Sequence, residues 1–424
     1  MKIAIIGAGF TGLSAACQLA KSGHEVTVFE KENQPGGLAI GYKKEGWDWT
    51  LEKHYHHWFT NDASVLNLAK QLRYEVFVKR PKTSIYLQGS IYQLDSPSNL
   101  LTFPQLSFTQ RLQMAAVLGF LRLNPFWQTL EPFKADTFLR KTMGQKAYET
   151  IWEPQLVNKF GSFANDISLA WFWARIKKRT PNLAYPEGGF LQFAQALEGE
   201  IKKLGGTLHF NSEIVELQSG GKVKILAKAA NKTVTHTFDK AIVTLASFPF
   251  IKLTPTLPEI YKKQLLSLKG LGAVNIVLRL KKQFLTDNTY WLSICEKNAK
   301  IMAIVEHTNF MDKKHYNNEH LVYLGNYLPH THPYFTMEPK DIIKSYDPLL
   351  QKIHKNYEEF LIDYDTFKVP FAQPIIPTNY SKIIPHFDTP LHNVYLANIQ
   401  QVYPWDRGTN YAVELGEKIA EYIL

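Results

Sequence analysis

The chain has 424 residues, 45% of them hydrophobic and 20% charged, which is the composition of a globular protein with enough apolar material for one large domain or two closely joined ones. Its net charge of +10 is compatible with nucleic acid, an anionic membrane surface or an acidic small molecule as partner. The basic residues are scattered, their densest runs at 175–179 and 279–284 are typical of solvated faces, and no known nucleic-acid-binding module is present, so we exclude nucleic acid.

The first thirty residues predict a strand, a tight turn, a helix and a second strand. KIAIIG, residues 2–7, is a continuous apolar run, as expected for a strand buried on both faces of a parallel sheet. LSAACQLAKSG has helical periodicity and ends at Gly23, and HEVTVFEK follows as a strand. This β–α–β start predicts an α/β fold.

The turn between this strand and helix matches GxGxxG in the required context. Its first glycine permits the tight turn, the second lets the backbone approach a pyrophosphate, and the third allows close packing of helix and strand. The helix N-terminus offers N–H groups and positive dipole to phosphates, and an acidic residue ends the second strand to bind ribose hydroxyls. The predicted dinucleotide site comprises Gly7, Ala8, Gly9, Phe10, Thr11, Gly12, Glu30 and Lys31.

A glycine pair, Gly36 and Gly37, follows in ENQPGGLAIGY. NAD-binding and FAD-binding proteins share the first motif, and the pair separates them. With it the sequence resembles the amine oxidase and protoporphyrinogen oxidase superfamily, which includes phytoene desaturases and UDP-galactopyranose mutase. The resemblance implies FAD, with the pair and Leu38 near its diphosphate and ribityl chain. Leu38 stands where relatives with oxidase activity often have Arg, and no cysteine near the C-terminus corresponds to the covalent flavin attachment of some amine oxidases, so we predict noncovalent FAD.

Later segments resemble the superfamily in the expected order. YPEGGFLQFAQAL, residues 185–197, is similar to the segment that leads back into the FAD domain, and SEIVEL implies that the backbone near Ile214 meets the adenine. Asn398 stands near the expected ribityl chain, where relatives commonly have an acidic residue. The last helix implies an N-terminal dipole aimed at the flavin N1–C2=O region. Its first residues are the further flavin-binding candidates Gly408, Thr409, Asn410 and Tyr411.

The rest of the chain predicts a substrate-binding part. QRLQMAAVLGFLRL, WEPQLVNKFG, SLAWFWARIKKR and PKDIIKSYDPLLQKIHKNY predict helices, while TLHFNSEIVEL, KVKILAKA and TVTHTFDKAIVTL predict strands. We therefore expect a Rossmann-like FAD-binding domain, residues 1–80, 185–255 and 385–424, interleaved with a mixed α+β substrate domain, residues 81–184 and 256–384.

The stretch LEKHYHHWFTND, residues 51–62, contains three histidines. We predict no metal here, because no cluster of Cys, Asp or Glu at ligand spacing lies nearby. Relatives run this part of the chain across the isoalloxazine, so His56 and His57 are candidates to contact the flavin or to relay a proton. His307 and Tyr327 are further catalytic candidates. Other positions that belong either to the core or to a cavity over the flavin are Tyr290, Trp291, Asn309, Asn326 and Gln373.

Three functions are compatible with this pattern. The first is an FAD-dependent oxidoreductase that removes hydride equivalents from a C–N or C–C bond of a small organic molecule, hydrophobic ones included. The second is a UDP-galactopyranose mutase-like enzyme without net redox, and the third is a non-catalytic flavin- or lipid-binding protein. The superfamily is dominated by the first chemistry, and HHWFTND does not reproduce the mutase loop HxFHTN, so we favour the oxidoreductase.

The remaining features concern location. Cys17 and Cys295 form no CxxC pair, so we expect a reducing compartment and a cytoplasmic protein. No apolar run approaches the length of a bilayer-spanning helix. The amphipathic segment 110–127 covers the core or, alternatively, contacts the inner face of a membrane at its surface.

Overall fold

The computed structural model describes residues 1–230 and 232–424. The strands are β1 (Lys2–Ile6), β2 (Glu25–Phe29), β3 (Gly41–Tyr42), β4 (Leu51–Glu52), β5 (Trp58–Phe59), β6 (Val76–Lys79), β7 (Lys82–Leu87), β8 (Ser90–Gln93), β9 (Leu183–Pro186), β10 (Thr207–His209), β11 (Ser212–Gln218), β12 (Val223–Ala229), β13 (Lys232–Phe238), β14 (Lys240–Val243), β15 (Gly270–Leu280), β16 (Thr289–Ile294), β17 (Ala303–Glu306), β18 (His320–Leu328), β19 (Leu361–Pro374) and β20 (Val394–Leu396). The helices are α1 (Phe10–Lys21), α2 (Ala63–Gln71), α3 (Pro97–Leu101), α4 (Phe108–Leu123), α5 (Ala135–Met143), α6 (Gln145–Ala147), α7 (Glu153–Phe160), α8 (Leu169–Lys178), α9 (Phe190–Lys203), α10 (Ser247–Leu253), α11 (Glu259–Ser267), α12 (Pro339–Ile353) and α13 (Thr409–Ile423).

A parallel sheet with strand order β10-β2-β1-β14-β20 is built from three distant parts of the chain. β1 is central, and Ile5 pairs with Val28 on one side and Ile242 on the other. All three side chains are fully buried in the apolar cluster that includes α1, α9 and α13, while Ala4 and Val243 belong to the cluster that includes β11 to β13. The parallel sheet is therefore covered by helices on one face and by the antiparallel sheet on the other. The predicted β–α–β start and the α/β fold class are confirmed.

Two predicted strands are each split between two sheets. TLHFNSEIVEL forms β10 in the parallel sheet and β11 in an antiparallel sheet with β12 and β13. Asn211 separates the two with a φ of +49°, a left-handed conformation that ends an extended run. TVTHTFDKAIVTL likewise forms β13 and β14 on either side of Asp239. The predicted strand conformation is confirmed in both segments, but the apolar pattern alone does not record where the backbone turns between sheets.

A second large sheet has the order β19-β15-β18-β17-β16-β7-β8 and is mixed, with β16 and β7 parallel. The strand β15, which lies between β19 and β18, buries residues on both faces. On one face Ile276 and Leu278 belong to the same apolar cluster as Tyr346 and Leu350 of α12, the helix predicted from PKDIIKSYDPLLQKIHKNY. The opposite face of this sheet is therefore available to form one wall of a cavity.

The helices α3 to α8 follow one another in the chain between β8 and β9. α4 begins with a capping box between Ser107 and Gln110 and buries Met114 and Leu121 on one face. Its opposite face leaves apolar side chains exposed, at Phe108, Leu112, Phe120 and Leu123. A contact of this face with a membrane surface stays a prediction. Among the described residues, no helix combines the length and the apolarity needed to cross a bilayer.

The first and last helices of the chain, α1 and α13, are in close contact. Ser14 Oγ donates a hydrogen bond of 3.0 Å to the backbone oxygen of Val413, 399 positions away. A Cβ added to Gly416 would lie 2.4 Å from the backbone oxygen of Thr11 and 2.7 Å from Cβ of Ser14. Only glycine permits this approach, which fixes the start of α13 relative to the N-terminal turn.

We expect Gly416→Ala to destabilise the protein by about 1–3 kcal/mol, because the new methyl group meets a backbone carbonyl and forces the two helices apart. Urea unfolding measures this change in the free energy of unfolding. The matched control is Gly199→Ala in α9, where an added Cβ meets nothing within 4 Å. This control gains about 0.5–1 kcal/mol from helix propensity. Equal effects of the two substitutions would contradict the close contact.

Candidate active site

The N-terminal turn forms a cradle of backbone groups. Gly7 and Gly36 have φ values of +108° and +129°, and the N–H of Gly36 donates to the backbone oxygen of Ala8 at 2.9 Å. A Cβ on Gly37 would lie 2.9 Å from Cα of Gly9, so side chains at these positions would fill the space between the two glycine segments. α1 has neither a side-chain cap nor an acidic residue in its first turn. This open, positive helix end fits a diphosphate.

Glu30 lies next to this cradle. Its carboxylate accepts hydrogen bonds from the N–H of Ala8 at 2.8 Å and the N–H of Glu32 at 3.0 Å, one on each oxygen. Each oxygen keeps a lone pair for a further donor, such as a ribose hydroxyl. Its backbone oxygen accepts from the N–H of Ser212, which brings β11 and Ile214 to the same region. Lys31 is exposed. The residues predicted to bind an adenosine group are therefore neighbours.

At the start of α13, two polar side chains form hydrogen bonds with other segments of the chain. Thr409 Oγ1 accepts a hydrogen bond from Trp58 Nε1 at 2.6 Å, and Asn410 Oδ1 accepts from the N–H of Val65 at 3.1 Å. These side chains hold neighbouring segments, so only the backbone N–H groups of the first turn are left to face a flavin. Asn398 is similar, because its amide donates to the oxygen of Leu245 and accepts from the N–H of Gln400.

The histidine stretch lies in a buried, aromatic environment. His56 Nδ1 is 2.6 Å from the backbone oxygen of His54, so Nδ1 carries the proton and Nε2 is left as an acceptor. His57 Nδ1 is 3.1 Å from the hydroxyl of Tyr290. Burial lowers the pKa of His56 to about 4 and the pKa of His57 to about 3. Both imidazoles are therefore neutral near pH 7 and act as hydrogen-bonding groups without charge. His54 Nδ1 accepts from the amide of Asn275 at 2.7 Å, so the three rings have separate partners.

A cavity of about 370 Å³ lies between the seven-stranded sheet, α7, α8 and the segments 55–59 and 406–411. It brings together many of the predicted residues from distant parts of the chain. The members that line it are His56, His57, Tyr290, Trp291, Tyr327, Gly408, Thr409 and Tyr411. Further aromatic walls come from Tyr55, Trp152, Trp171 and Phe172. A cavity of this size and lining suits a small organic molecule next to a flat ring.

Not all predicted residues reach this cavity. His307, proposed as catalytic, is 2% exposed and lies in the core. Its Nε2 is 2.8 Å from the hydroxyl of Tyr316, its ring packs edge-on against Tyr185, and burial lowers its pKa to about 3. Asn326 is likewise buried and donates to the hydroxyl of Tyr346. Asn309 and Gln373 also lie outside the cavity wall. Polar positions in strands were thus satisfied core residues in these cases.

Charged residues that the sequence did not single out complete the cavity wall. Five are cationic, Lys159, Arg175, Lys178, Arg179 and Arg407, and three are acidic, Asp62, Asp95 and Asp406. Three members of the run 175–179 line this cavity, and the interpretation of the run as a solvated face was wrong for Arg175, which is half-buried in an ion pair with Asp406. The helical spacing from Trp171 to Arg175 and Lys178 places an aromatic and two cations on one face of α8, and this spacing was the available signal.

Asp406 is the carboxylate that lies closest to several of these cations. Its carboxylate accepts hydrogen bonds from Arg175 Nη1 at 2.7 Å, from Trp171 Nε1 at 3.0 Å and from the N–H of Arg407 at 3.1 Å. Lys159 Nζ lies 3.9 Å away. Burial acts to raise the pKa of Asp406, but the charges of Lys159, Arg175 and Arg407 outweigh it and hold the pKa well below its usual range. The ion pair connects α7 and α8 to the segment before α13.

Arg407 has neutral partners in addition to Asp406. Its Nε donates to Gln373 Oε1 at 3.1 Å, and its Nη2 donates to the hydroxyl of Tyr327. The guanidinium also lies 4.9 Å from the centre of the Tyr327 ring. Tyr327, predicted as catalytic, is therefore oriented by a cation at the cavity wall. Its hydroxyl is a hydrogen-bonding group with a fixed direction.

Comparisons with known proteins agree with this geometry. The model of the flavin-containing amine oxidoreductase family matches residues 10–424. Coproporphyrinogen III oxidase of Staphylococcus aureus strain NCTC 8325 is 24% identical over 57% of this chain, and the chain spans 60% of that relative's length. The 4,4'-diapophytoene desaturase of S. aureus strain COL is 55% identical over 12% of this chain and 10% of its own. Cyclohexylamine oxidase from Brevibacterium oxydans shares the fold, with a TM-score of 0.74 at 13% identity over 100% of this chain and 98% of its own.

We expect His57→Gln to make the stability less sensitive to acid. In the unfolded chain His57 binds a proton below about pH 6.5, whereas in the folded protein its pKa is about 3, so the wild type loses stability as the pH falls through this window. Glutamine keeps a hydrogen-bonding group opposite Tyr290 and does not titrate. Urea unfolding measures the free energy of unfolding of both proteins. The value for the wild type minus the value for the variant should fall by about 1–2 kcal/mol between about pH 7.5 and about pH 5.

The matched control for this prediction is His392→Gln, because His392 is exposed. Its unfolding free energy should follow that of the wild type at both pH values. A constant difference between wild type and His57→Gln across the two pH values would show that His57 is not held neutral by burial.

Proposed function

The chain belongs to the family of flavin-containing amine oxidoreductases, and on this premise we propose that it is an FAD-dependent oxidoreductase that removes hydride equivalents from a C–N or C–C bond of a small organic molecule. The observation that carries the proposal is that residues from opposite ends of the chain line one cavity. His56 and His57 come from the segment after the glycine pair, and Gly408 and Thr409 from the start of the last helix. Both segments were predicted to face a flavin.

The residues present fit an FAD molecule. The glycine cradle and the uncapped start of α1 supply N–H groups for a diphosphate, and Glu30 supplies acceptors for a ribose. The start of α13 supplies a second uncapped, positive helix end without an acidic residue. FAD, when bound, supplies the two-electron acceptor that such an oxidation needs.

The protein's own groups position the substrate and exclude water. The aromatic walls give the cavity a low dielectric environment, in which hydrogen bonds to a substrate are stronger than in water. The pair of His57 Nδ1 and Tyr290 hydroxyl, at 3.1 Å, and the oriented hydroxyl of Tyr327 are the polar groups available to hold a substrate. His56 Nε2 has no hydrogen-bond partner among the described residues, and it is our candidate to accept a hydrogen bond from the substrate on a neutral ring.

We expect the purified protein to contain FAD that is not covalently attached. Acid precipitation should release the yellow colour into the supernatant, because no linkage holds it to the polypeptide. Glu30→Ala should raise the dissociation constant of FAD by about 10-fold, since a carboxylate contact to ribose hydroxyls is lost. Glu32→Ala is the matched control, because the Glu32 side chain is exposed and, among the described residues, forms its ion pair with Lys31. Colour retained by the precipitate, or equal effects of the two variants, would contradict this binding mode.

Turnover distinguishes the oxidoreductase from the mutase-like alternative. A panel of candidate substrates is screened under anaerobic conditions for loss of the flavin absorbance, and an electron acceptor is then added. We expect a substrate to bleach the flavin and the acceptor to restore it with stoichiometric consumption. Product formation that needs a pre-reduced flavin and consumes no acceptor would instead establish a mutase-type reaction on a nucleotide-sugar.

A further inference from the structure

The cations of the cavity wall are not balanced by its carboxylates. Asp406 pairs with Arg175 and Lys159, as described above. Oδ2 of Asp62 accepts a hydrogen bond from the N–H of Phe59, and the oxygens of Asp95 accept from the N–H of Thr83 and the side-chain amides of Gln93 and Asn99. Oδ1 of Asp62 is buried and has no hydrogen-bond partner among the described residues. Lys178 and Arg179 have no carboxylate oxygen within 4.0 Å among the described residues. The nearest defined partner of Lys178 is the ring of Trp405, at 4.6 Å.

This excess charge costs free energy in the absence of an anion. Arg175, four positions earlier in the chain, repels Arg179, and Asp406, which attracts Arg179, is already paired with Arg175. Burial lowers the pKa of Lys159 well below its usual range, despite the attraction of Asp406. An anion bound among these groups would relieve the repulsion, and a cation would increase it.

The position of the two unpaired cations indicates where such an anion binds. Arg179 is exposed although it lines the cavity, so it lies at the mouth, and Lys178 precedes it at the end of α8. Arg407 directly precedes Gly408, a candidate flavin-binding residue, so its charge also acts close to the proposed cofactor. The substrate anion is therefore assigned to Lys178 and Arg179 alone.

We propose that the substrate of this cavity is an organic anion whose carboxylate or phosphate group is held by Lys178 and Arg179 at the mouth, and that protonated amines are excluded. The inference rests on the proposed function, since it takes the cavity to be the substrate cavity of an FAD enzyme. Arginine binds carboxylate and phosphate in bidentate geometry, and a positive cleft raises the local concentration of anions. The apolar part of the substrate packs against the aromatic walls further in.

Calorimetric titration of the FAD-loaded protein with probes that share an indole ring tests the proposal. The probes are indole-3-acetate, 3-indolyl phosphate, the neutral indole-3-acetamide and the cationic tryptamine. We expect one or both anions to bind with a dissociation constant below about 1 mM, at least about 10-fold more tightly than tryptamine, with the amide between them. The tighter of the two anions identifies the acidic group, and added salt should weaken its binding.

Substitutions of Lys178 and Arg179 test whether these two residues at the cavity mouth hold the acidic group of the substrate. Arg179→Gln and Lys178→Gln should each weaken binding of the better anion by about 5–10-fold, and Arg179→Lys should restore part of the loss. Lys177→Gln is the matched control, because it removes the same charge from the same helix, but Lys177 lies outside the cavity and donates to the backbone oxygens of Arg122 and Leu123. We expect less than about a 2-fold change for this control.

Several results would overturn the proposal: tryptamine binding as tightly as the anions, no binding of either anion, or equal effects of Arg179→Gln and Lys177→Gln. Inorganic phosphate that binds as tightly as 3-indolyl phosphate would also overturn it, since the site would then take free anions without an organic part. Far-UV circular dichroism of each variant confirms folding. The flavin absorbance is measured separately, so a protein that binds the anions but no FAD would contradict the proposed function and leave anion binding established.

Discussion

The contact between the first and the last helix is the constraint on which both the fold and the site depend. α1 carries the turn that fits a diphosphate, and α13 begins at the wall of the cavity. Their backbones approach so closely at Thr11 and Gly416 that no side chain fits between them. Because the parallel sheet takes its strands from the beginning, middle and end of the chain, this contact also determines where β20 joins the sheet. The site is complete only when the whole chain has folded.

The buried carboxylate of Glu52 holds the segment that leads into the histidine stretch. Glu52 accepts hydrogen bonds from the N–H of Phe190 at 2.9 Å and from the hydroxyl of Tyr185, while its backbone oxygen accepts from Tyr323 of the second large sheet. Burial raises the pKa of Glu52 to about 7. A charge in this position is costly unless it is hydrogen-bonded, and here it lies at the positive start of α9. Glu52 thereby joins β9 and the start of α9 to the second large sheet, immediately before the histidine stretch.

The parts of this structure that sequence predicts are those with local causes. A buried strand, a glycine turn and a helix start each have a short sequence pattern. These patterns predict Gly9, Gly37 and Glu30 as neighbours. The division of residues 207–218 between two sheets depends on one left-handed residue, Asn211, and has no periodic signal. His307 looked like a site residue because it is polar within a strand region, yet its partner Tyr316 satisfies it in the core. Arg175 looked solvated, because its partner Asp406 is 231 positions away.

The distribution of charge within the molecule separates two kinds of anion binding. The cradle around α1 offers glycine backbone N–H groups and the helix dipole to an anion. The one cation predicted there, Lys31, is exposed, and its Nζ lies 3.6 Å from Glu32 Oε1. Cofactor phosphates bound in this way need no lysine or arginine side chain. The cationic side chains are instead concentrated at the cavity, from Lys159 through Arg179 to Arg407. In the proposed function the backbone groups hold the phosphates, and we infer that the cations other than Arg407 act on what enters the cavity. Their charge is opposite to the one that a protonated amine requires.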